Sequence, residues 1–205
     1  MHIKIFLAFQ TTTGGGLAQT LTTRERSVFE GFITPKRRRE WAAGRVAAKR
    51  AVRQALAGFN LYPRLSEIEI LADESGKPRW NPLKLPAAIS LSISHSNEWA
   101  CAAVSTDSSP IGIDIEKIEE RHPAWLEEAF APEERAGISS WDQATKLWTE
   151  KEAYSKFLGI GLNLDLWKIR PRQGGARIQN WKKGDYWVSL ASAQGTGGLG
   201  DYGYR

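Results

Sequence analysis

The 205-residue chain has a single cysteine, Cys101, which excludes an internal disulfide framework and any cysteine-cluster zinc site. That residue lies in the apolar run Trp99-Ala100-Cys101-Ala102-Ala103-Val104, where a buried core thiol is expected. No apolar run approaches the length of about 18 residues that a membrane span requires. The opening Met1-His2-Ile3-Lys4-Ile5-Phe6-Leu7-Ala8-Phe9 is too short for a signal peptide and lacks its flanks. A cytoplasmic protein with no membrane partner is the expectation. No repeat is visible in the sequence, and no aromatic platform interleaves the basic residues as nucleic-acid binding would need.

What is present is enough chain to bury a core, as one domain or as two halves of about 100 residues each. Net charge is +5, and much of the excess sits in Lys36-Arg37-Arg38-Arg39 through Arg45, Lys49, Arg50 and Arg53. Such a cluster attracts polyanions, whether nucleic acid, an acidic protein or a phosphorylated cofactor.

The order of elements follows from periodicity and breakers. A strand is expected over Ile3 to Phe9, and then a loop containing three consecutive glycines. Thr34-Pro35 starts a long helix with a threonine cap and proline at the first position, ending near Leu56 before Gly58. Its apolar face carries Trp41, Ala48, Val52, Ala55 and Leu56, with Arg45 inside that face and Lys49 at its edge. An arginine so placed wants an anionic partner. Ile68-Glu69-Ile70-Leu71 reads as a short strand and Asp73 to Trp80 as a turn. Ile89 to Ser96 and Trp99 to Val104, joined by Asn97-Glu98, read as a hairpin, with His95 ending a hydrophobic row at the turn.

Two stretches carry the chemistry. In Ile111-Gly112-Ile113-Asp114-Ile115-Glu116, alternation points the isoleucines into a core and puts Asp114 and Glu116 together on the opposite face. Adjacent like charges repel, so either they are solvated at a strand end or a cation neutralises them. Oxygen donors with no histidine or cysteine nearby favour magnesium or manganese over zinc. In Leu147-Trp148-Thr149-Glu150-Lys151-Glu152-Ala153-Tyr154-Ser155-Lys156-Phe157-Leu158, the residues Leu147, Tyr154 and Leu158 make a core stripe, and Trp148, Glu152 and Lys156 make the stripe beside it. Gly159 and Gly161 supply a helix stop. Helical turns are expected between Glu119 and Trp141, strand edges at Asn163 to Ile169 and Arg177 to Trp181, a last strand at Tyr186 to Leu190, and a flexible tail over 191–205.

Taken together, Ala43-Gly44-Arg45, Gly76-Lys77-Pro78, Ser94-His95-Ser96, the Asp114/Glu116 strand and the Trp148 to Lys156 helix resemble the 4′-phosphopantetheinyl transferases, in their larger, Sfp-type branch. The likeness covers about positions 34 to 162. It implies an α/β (α+β) fold, a pseudodimer of two similar halves, here 1–106 and 107–190, with the cofactor bound between them. It also implies a monomeric transferase that moves the phosphopantetheine arm of coenzyme A to a serine of an apo carrier protein, acyl, polyketide or peptidyl, and releases adenosine 3′,5′-bisphosphate.

By the same resemblance Asp114, Glu116 and Glu152 are the magnesium (or manganese) ligands, Glu152 is the general base, directly or through a metal-bound water, and Lys156 stabilises the pyrophosphate. Lys151 orients the site and Arg45 grips the 3′-phosphate. Gly76, Lys77 and Pro78 form the adenine-side wall, and Ser94 and His95 contact phosphate, His95 as a hydrogen-bond donor. One departure is Phe130-Ala131-Pro132-Glu133, where the family often has threonine after phenylalanine. The competing readings are a catalytically weak homologue that only binds carrier domains, and a nucleic-acid-binding module built on the basic helix.

Overall fold

The computed structural model describes residues 4–80, 89–160, 166–171 and 175–194. The chain runs β1 (Ile5–Thr11), a 3-10 turn, α1 (Thr23–Gly31), α2 (Pro35–Ala57), a second 3-10 turn, then β2 (Ile70–Ala72), β3 (Pro78–Trp80), β4 (Ser90–Ser96) and β5 (Trp99–Ser105). There follow β6 (Ile111–Lys117), α3 (Ala124–Ala129), α4 (Pro132–Arg135), α5 (Trp141–Leu158), a 3-10 turn at Leu166–Lys168, β7 (Ala176–Lys183) and β8 (Tyr186–Ala193).

Each half repeats one design, an antiparallel three-stranded sheet with a long helix across one face. The first sheet has the order β1-β5-β4 and carries α2, and the second has the order β6-β8-β7 and carries α5. The two faces not covered by helices meet each other. Ile5, Cys101 and Ala103 from the first sheet pack there with Ile111, Ile113, Ile115, Val188 and Leu190 from the second. On the outer face of the first sheet, Phe6, Ala102 and Val104 pack against Ala47, Ala51, Val52 and Ala55 of α2. This explains why β5 is buried along nearly its whole length and reads as an unbroken apolar run: both its faces are covered.

The long helices begin and end on residues suited to the task. Thr34 caps α2 by accepting from Arg37 N at 3.3 Å, with Pro35 at the first helical position. Ser140 caps α5 by accepting from Gln143 N, and Gly159 closes it at φ 72°, in the left-handed region that glycine tolerates.

Several expectations are corrected. α5 starts at Trp141, six residues before Leu147, because Ser140 is the capping side chain. Leu158 is 46% exposed and not part of a core stripe, since it is the last residue of the helix and borders a cleft. α1 was not foreseen, although Thr22 and Glu25 form a reciprocal capping box at its start. Leu166–Lys168 forms a 3-10 turn where strand was expected, and residues 161–165 lie outside the described residues. β8 continues to Ala193, past the expected end at Leu190, with Ala191 and Ser192 buried; the rest of the expected tail lies outside the described residues.

Candidate active site between the two halves

β4 and β6 are both sheet edges and run beside each other. Three serines at every second position of β4 engage β6. Ser92 Oγ accepts from Ile113 N at 3.1 Å, Ser94 Oγ donates to Asp114 Oδ1 at 2.7 Å, and Ser96 Oγ donates to Glu116 Oε2 at 3.1 Å. Ser96 Oγ also accepts from Lys117 N. Serine suits this edge because one hydroxyl both donates and accepts.

The carboxylate face of β6 is covered by α5. Gly112 makes this possible: its backbone lies against Ala153 and Phe157 of the helix, with no space for a side chain. Asp114 is therefore 3% exposed, which removes the solvated strand-end alternative for it. Lys156 Nζ donates to Asp114 Oδ1 at 2.7 Å and to Ile113 O at 3.2 Å. With Ser94 and Lys156 both on Oδ1, the other oxygen, Oδ2, is buried with no hydrogen-bond partner among the described residues. Glu116 Oε2 accepts from Arg121 Nη2 at 3.0 Å in addition to Ser96.

Burial and mutual repulsion perturb these groups. Burial first, and then the charge of Asp114, raises the Glu152 carboxyl to about 7, and the same two causes raise Glu116 to about 7. Burial works against the Lys156 ammonium, but Asp114 and Glu152 outweigh it and hold its pKa above the ordinary lysine value. Asp114, Glu116 and Glu152 thus form a crowded trio with too little positive charge among them. Among the described residues no three acidic, histidine or cysteine side chains are already arranged to hold a metal ion. Nevertheless, the unpartnered Asp114 Oδ2 and the two destabilised glutamates are what a hard divalent cation would satisfy, so the donor chemistry fits one.

A cleft of about 520 Å³ opens beside this trio, lined by Gly76, Lys77 and Pro78 from the first half and Lys156 and Gly159 from the second. Lys77 Nζ lies over Gly159 at the C-terminal end of α5, where the helix dipole favours a cation. Ser92 and Arg79 border the same cleft.

Not every expected residue converges here. Arg45 lines a separate cavity with Arg24, Ser27, Trp41 and Leu71. Its guanidinium stacks on Trp41 at 4.4 Å, its Nε is buried without a partner among the described residues, and burial lowers its pKa to about 10. Lys151, one residue from Glu152 and so about 100° around the helix, faces away from the trio. It is fully buried, pairs with Glu134 at 2.6 Å and sits over Phe130, which ties α5 to α4. His95 Nε2 lies 3.1 Å from Arg37 Nη1; a guanidinium can only donate, so this nitrogen is an acceptor. Burial lowers the His95 pKa, consistent with a neutral ring. The donor role expected of this histidine is not the one its Nε2 plays here.

Residues that sequence reasoning did not single out complete the picture. Arg37 is one of a basic run with nothing to mark it, Ser96 stands out only as part of the Ser94-His95-Ser96 motif, and Arg121 sits in a polar loop with no pattern. The buried Glu25–Lys49 pair was legible only through the capping box and through a lysine placed beside an apolar stripe.

Comparisons with known proteins show what the chain is similar to. A family model described as 4′-phosphopantetheinyl transferase N-terminal domain matches residues 32–105, and one described as 4′-phosphopantetheinyl transferase superfamily matches residues 110–202. The 4′-phosphopantetheinyl transferase Sfp of Bacillus subtilis (strain 168) is 33% identical over 175 residues, covering 76% of this chain and 74% of that protein. The holo-[acyl-carrier-protein] synthase of Geobacillus kaustophilus (strain HTA426) is 42% identical over 85 residues, 41% of this chain and 65% of that enzyme's length. A crystal structure of a holo-(acyl-carrier-protein) synthase from Bacillus anthracis str. Ames in complex with CoA (3′,5′-ADP) is 30% identical over 51% of this chain and 96% of that one, with a TM-score of 0.43. Two matched halves that meet where β4 and β6 bring serines, carboxylates and Lys156 together leave one assignment: the chain belongs to the 4′-phosphopantetheinyl transferase family.

Proposed function

We propose that this protein transfers the 4′-phosphopantetheine arm of coenzyme A to a serine of an apo carrier protein, releasing adenosine 3′,5′-bisphosphate. The observation that carries the reading is Asp114, buried between the halves with Lys156 and Ser94 on one oxygen and no described residue bonded to the other. Asp114, Glu116 and Glu152 would hold Mg2+ or Mn2+, which when bound supplies Lewis-acid stabilisation of pyrophosphate charge.

The chain's own residues do the rest. Lys77 and Lys156 line the cleft as cations for the pyrophosphate, with Gly76 and Pro78 forming the adenine-side wall. Ser94 and His95 stand on the strand that faces the carboxylates, and Arg37 beside His95 adds a fork suited to phosphate oxygens. Glu152, on the helix face beside Asp114 and Lys156, would take the proton of the attacking serine, directly or through a metal-bound water. The serine oxygen forms a bond to the β-phosphorus, the bond from that phosphorus to the bridging oxygen breaks, and the leaving phosphate departs with Lys156 beside it. Arg45 and Lys151 act from outside this set. Arg45, which the family resemblance assigns to the 3′-phosphate, stands in its own cavity, and Lys151 holds the helix that presents Glu152.

No helix among the described residues is long and apolar enough to cross a membrane. We place the reaction in the cytoplasm, on a monomer, with an acyl, polyketide or peptidyl carrier as protein substrate. The basic surface suits carriers that are acidic. The test is incubation with coenzyme A, Mg2+ and a panel of apo carriers, followed by mass spectrometry. A gain of one phosphopantetheine mass on a carrier serine is expected, and unchanged masses across the panel would overturn the reading.

A further inference from the structure

The geometry points to Arg121 as a positioning residue for Glu116. The two strand carboxylates are held by one scheme. Asp114 has one oxygen anchored by a β4 serine and a cation, Ser94 and Lys156, and its other oxygen left over. Glu116 has one oxygen, Oε2, anchored by the next serine along β4 and a second cation, Ser96 at 3.1 Å and Arg121 Nη2 at 3.0 Å. Arg121 is to Glu116 what Lys156 is to Asp114. Two bonds to Oε2 fix the rotation of the carboxylate and leave Oε1 out of both.

The arginine is itself anchored. Its guanidinium lies over the Trp125 ring at 4.5 Å, and Trp125 meets Phe130 and Trp148 edge-on, each at 5.3 Å. Trp148 is one helical turn before Glu152 on α5. The ring stack thus links the loop that carries Arg121 to the helix that carries the third carboxylate. A planar guanidinium can stack and bond a carboxylate at the same time, which an ammonium cannot.

Two effects of Arg121 on a divalent cation oppose each other. Its charge repels the cation, whereas its hydrogen bond orients the ligand. Partners that orient metal ligands are commonly worth 10–100-fold in affinity, and the Arg121 charge is already engaged by Glu116 Oε2 at 3.0 Å, on side chains 23% and 22% exposed that solvent still reaches in part. Orientation wins.

This inference rests on Glu116 being a metal ligand, and the test separates the two. Mn2+ binding to the full chain is measured by electron paramagnetic resonance of the free ion, with melting temperature recorded alongside. Arg121→Ala should weaken Mn2+ binding about tenfold or more. Arg121→Lys should recover part of that loss, because it restores charge but not the stacked fork. In a Glu116→Gln background, Arg121→Ala should add little, since the group it positions is already altered. If Arg121→Ala fails to fold, Trp125→Leu, which removes the supporting ring and keeps the arginine, should still weaken Mn2+ binding. Arg121→Ala binding Mn2+ as tightly as the unaltered chain, or more tightly, overturns the proposal, as does an equal loss in the Glu116→Gln background or an unchanged affinity in Trp125→Leu. Glu116→Gln with unaltered Mn2+ affinity overturns the metal-ligand reading itself, and this proposal with it.

Discussion

A β-carbon on Gly112 would stand 2.0 Å from the carbonyl oxygen of Ala153 and 2.5 Å from the nitrogen of Phe157, so strand β6 and helix α5 touch there backbone to backbone. This contact sets the distance between Asp114, two residues along the strand, and Lys156, one turn along the helix. Gly112→Ala must push α5 away, because backbone cannot yield as a side-chain tip can. We expect a loss of at least about 1–3 kcal/mol in urea denaturation, together with loss of carrier modification. Gly44→Ala is the control: its new carbon would meet only Ile93 Cγ2 at 3.0 Å, and the variant should lose less. A Gly112→Ala protein as stable as the unaltered chain would mean that the helix does not dock as described.

Much of this geometry was legible in the sequence, and the gaps have physical causes. Thr34-Pro35 and Gly159 mark helix ends through backbone chemistry that is local, so the ends of α2 and the C-terminus of α5 were readable. Alternation in Ile111 to Glu116 correctly put the isoleucines on one face and the carboxylates on the other. It could not tell that the carboxylate face is buried, because burial there depends on a helix thirty residues away fitting against a glycine. Lys151 and Glu152 looked like one functional pair, and only the packing of α4 shows that they face different neighbours. Arg45 was legible as a buried cation in search of a partner, but which cavity it lines is set by α1, which sequence reasoning did not foresee.

Asp114→Asn isolates charge from shape. The amide fits the same space and can still accept from Ser94, but the negative charge that Lys156 binds is gone. After burial, Asp114 is the largest cause raising the Glu152 pKa, so the variant should titrate Glu152 at lower pH than the unaltered chain does. Carbon-13 NMR of the glutamate side-chain carboxyls reads this directly. Carrier modification should be abolished. A Glu152 titration that does not move would show that the two carboxylates are not coupled.

The pair of Glu25 and Lys49 holds the first half together from inside. Both side chains are fully buried, 2.5 Å apart, and Glu25 also accepts from the backbone of Thr22 and Ile70 while Lys49 donates to Thr20 O. Removing one partner strands the other without water, so Glu25→Ala and Lys49→Met should each cost about 3–5 kcal/mol. The double variant should cost less than the sum of the two, because neither charge is then left alone. Chemical denaturation of the four proteins measures the coupling, and strictly additive losses would argue that the pair contributes nothing as a pair.

The raised carboxyls give the site a pH dependence with a definite sign. Glu116 and Glu152 titrate near 7 in the folded chain and near the ordinary value of 4.5 when unfolded. Between these values the folded state holds more protons than the unfolded state. Their contribution to stability is therefore fully present below about pH 4.5 and is lost as pH rises through about 7. A divalent cation reverses the trend, because it binds the ionised forms and must displace the protons that remain at lower pH. Added Mg2+ should raise the melting temperature clearly at pH 8 and little at pH 5.5, and binding at the lower pH should release protons to a weakly buffered solution. The proton release distinguishes binding at these carboxylates from a general salt effect, which would screen surface charge at both pH values without moving protons. Equal stabilisation at the two pH values with no proton release would remove Glu116 and Glu152 from the set of ligands.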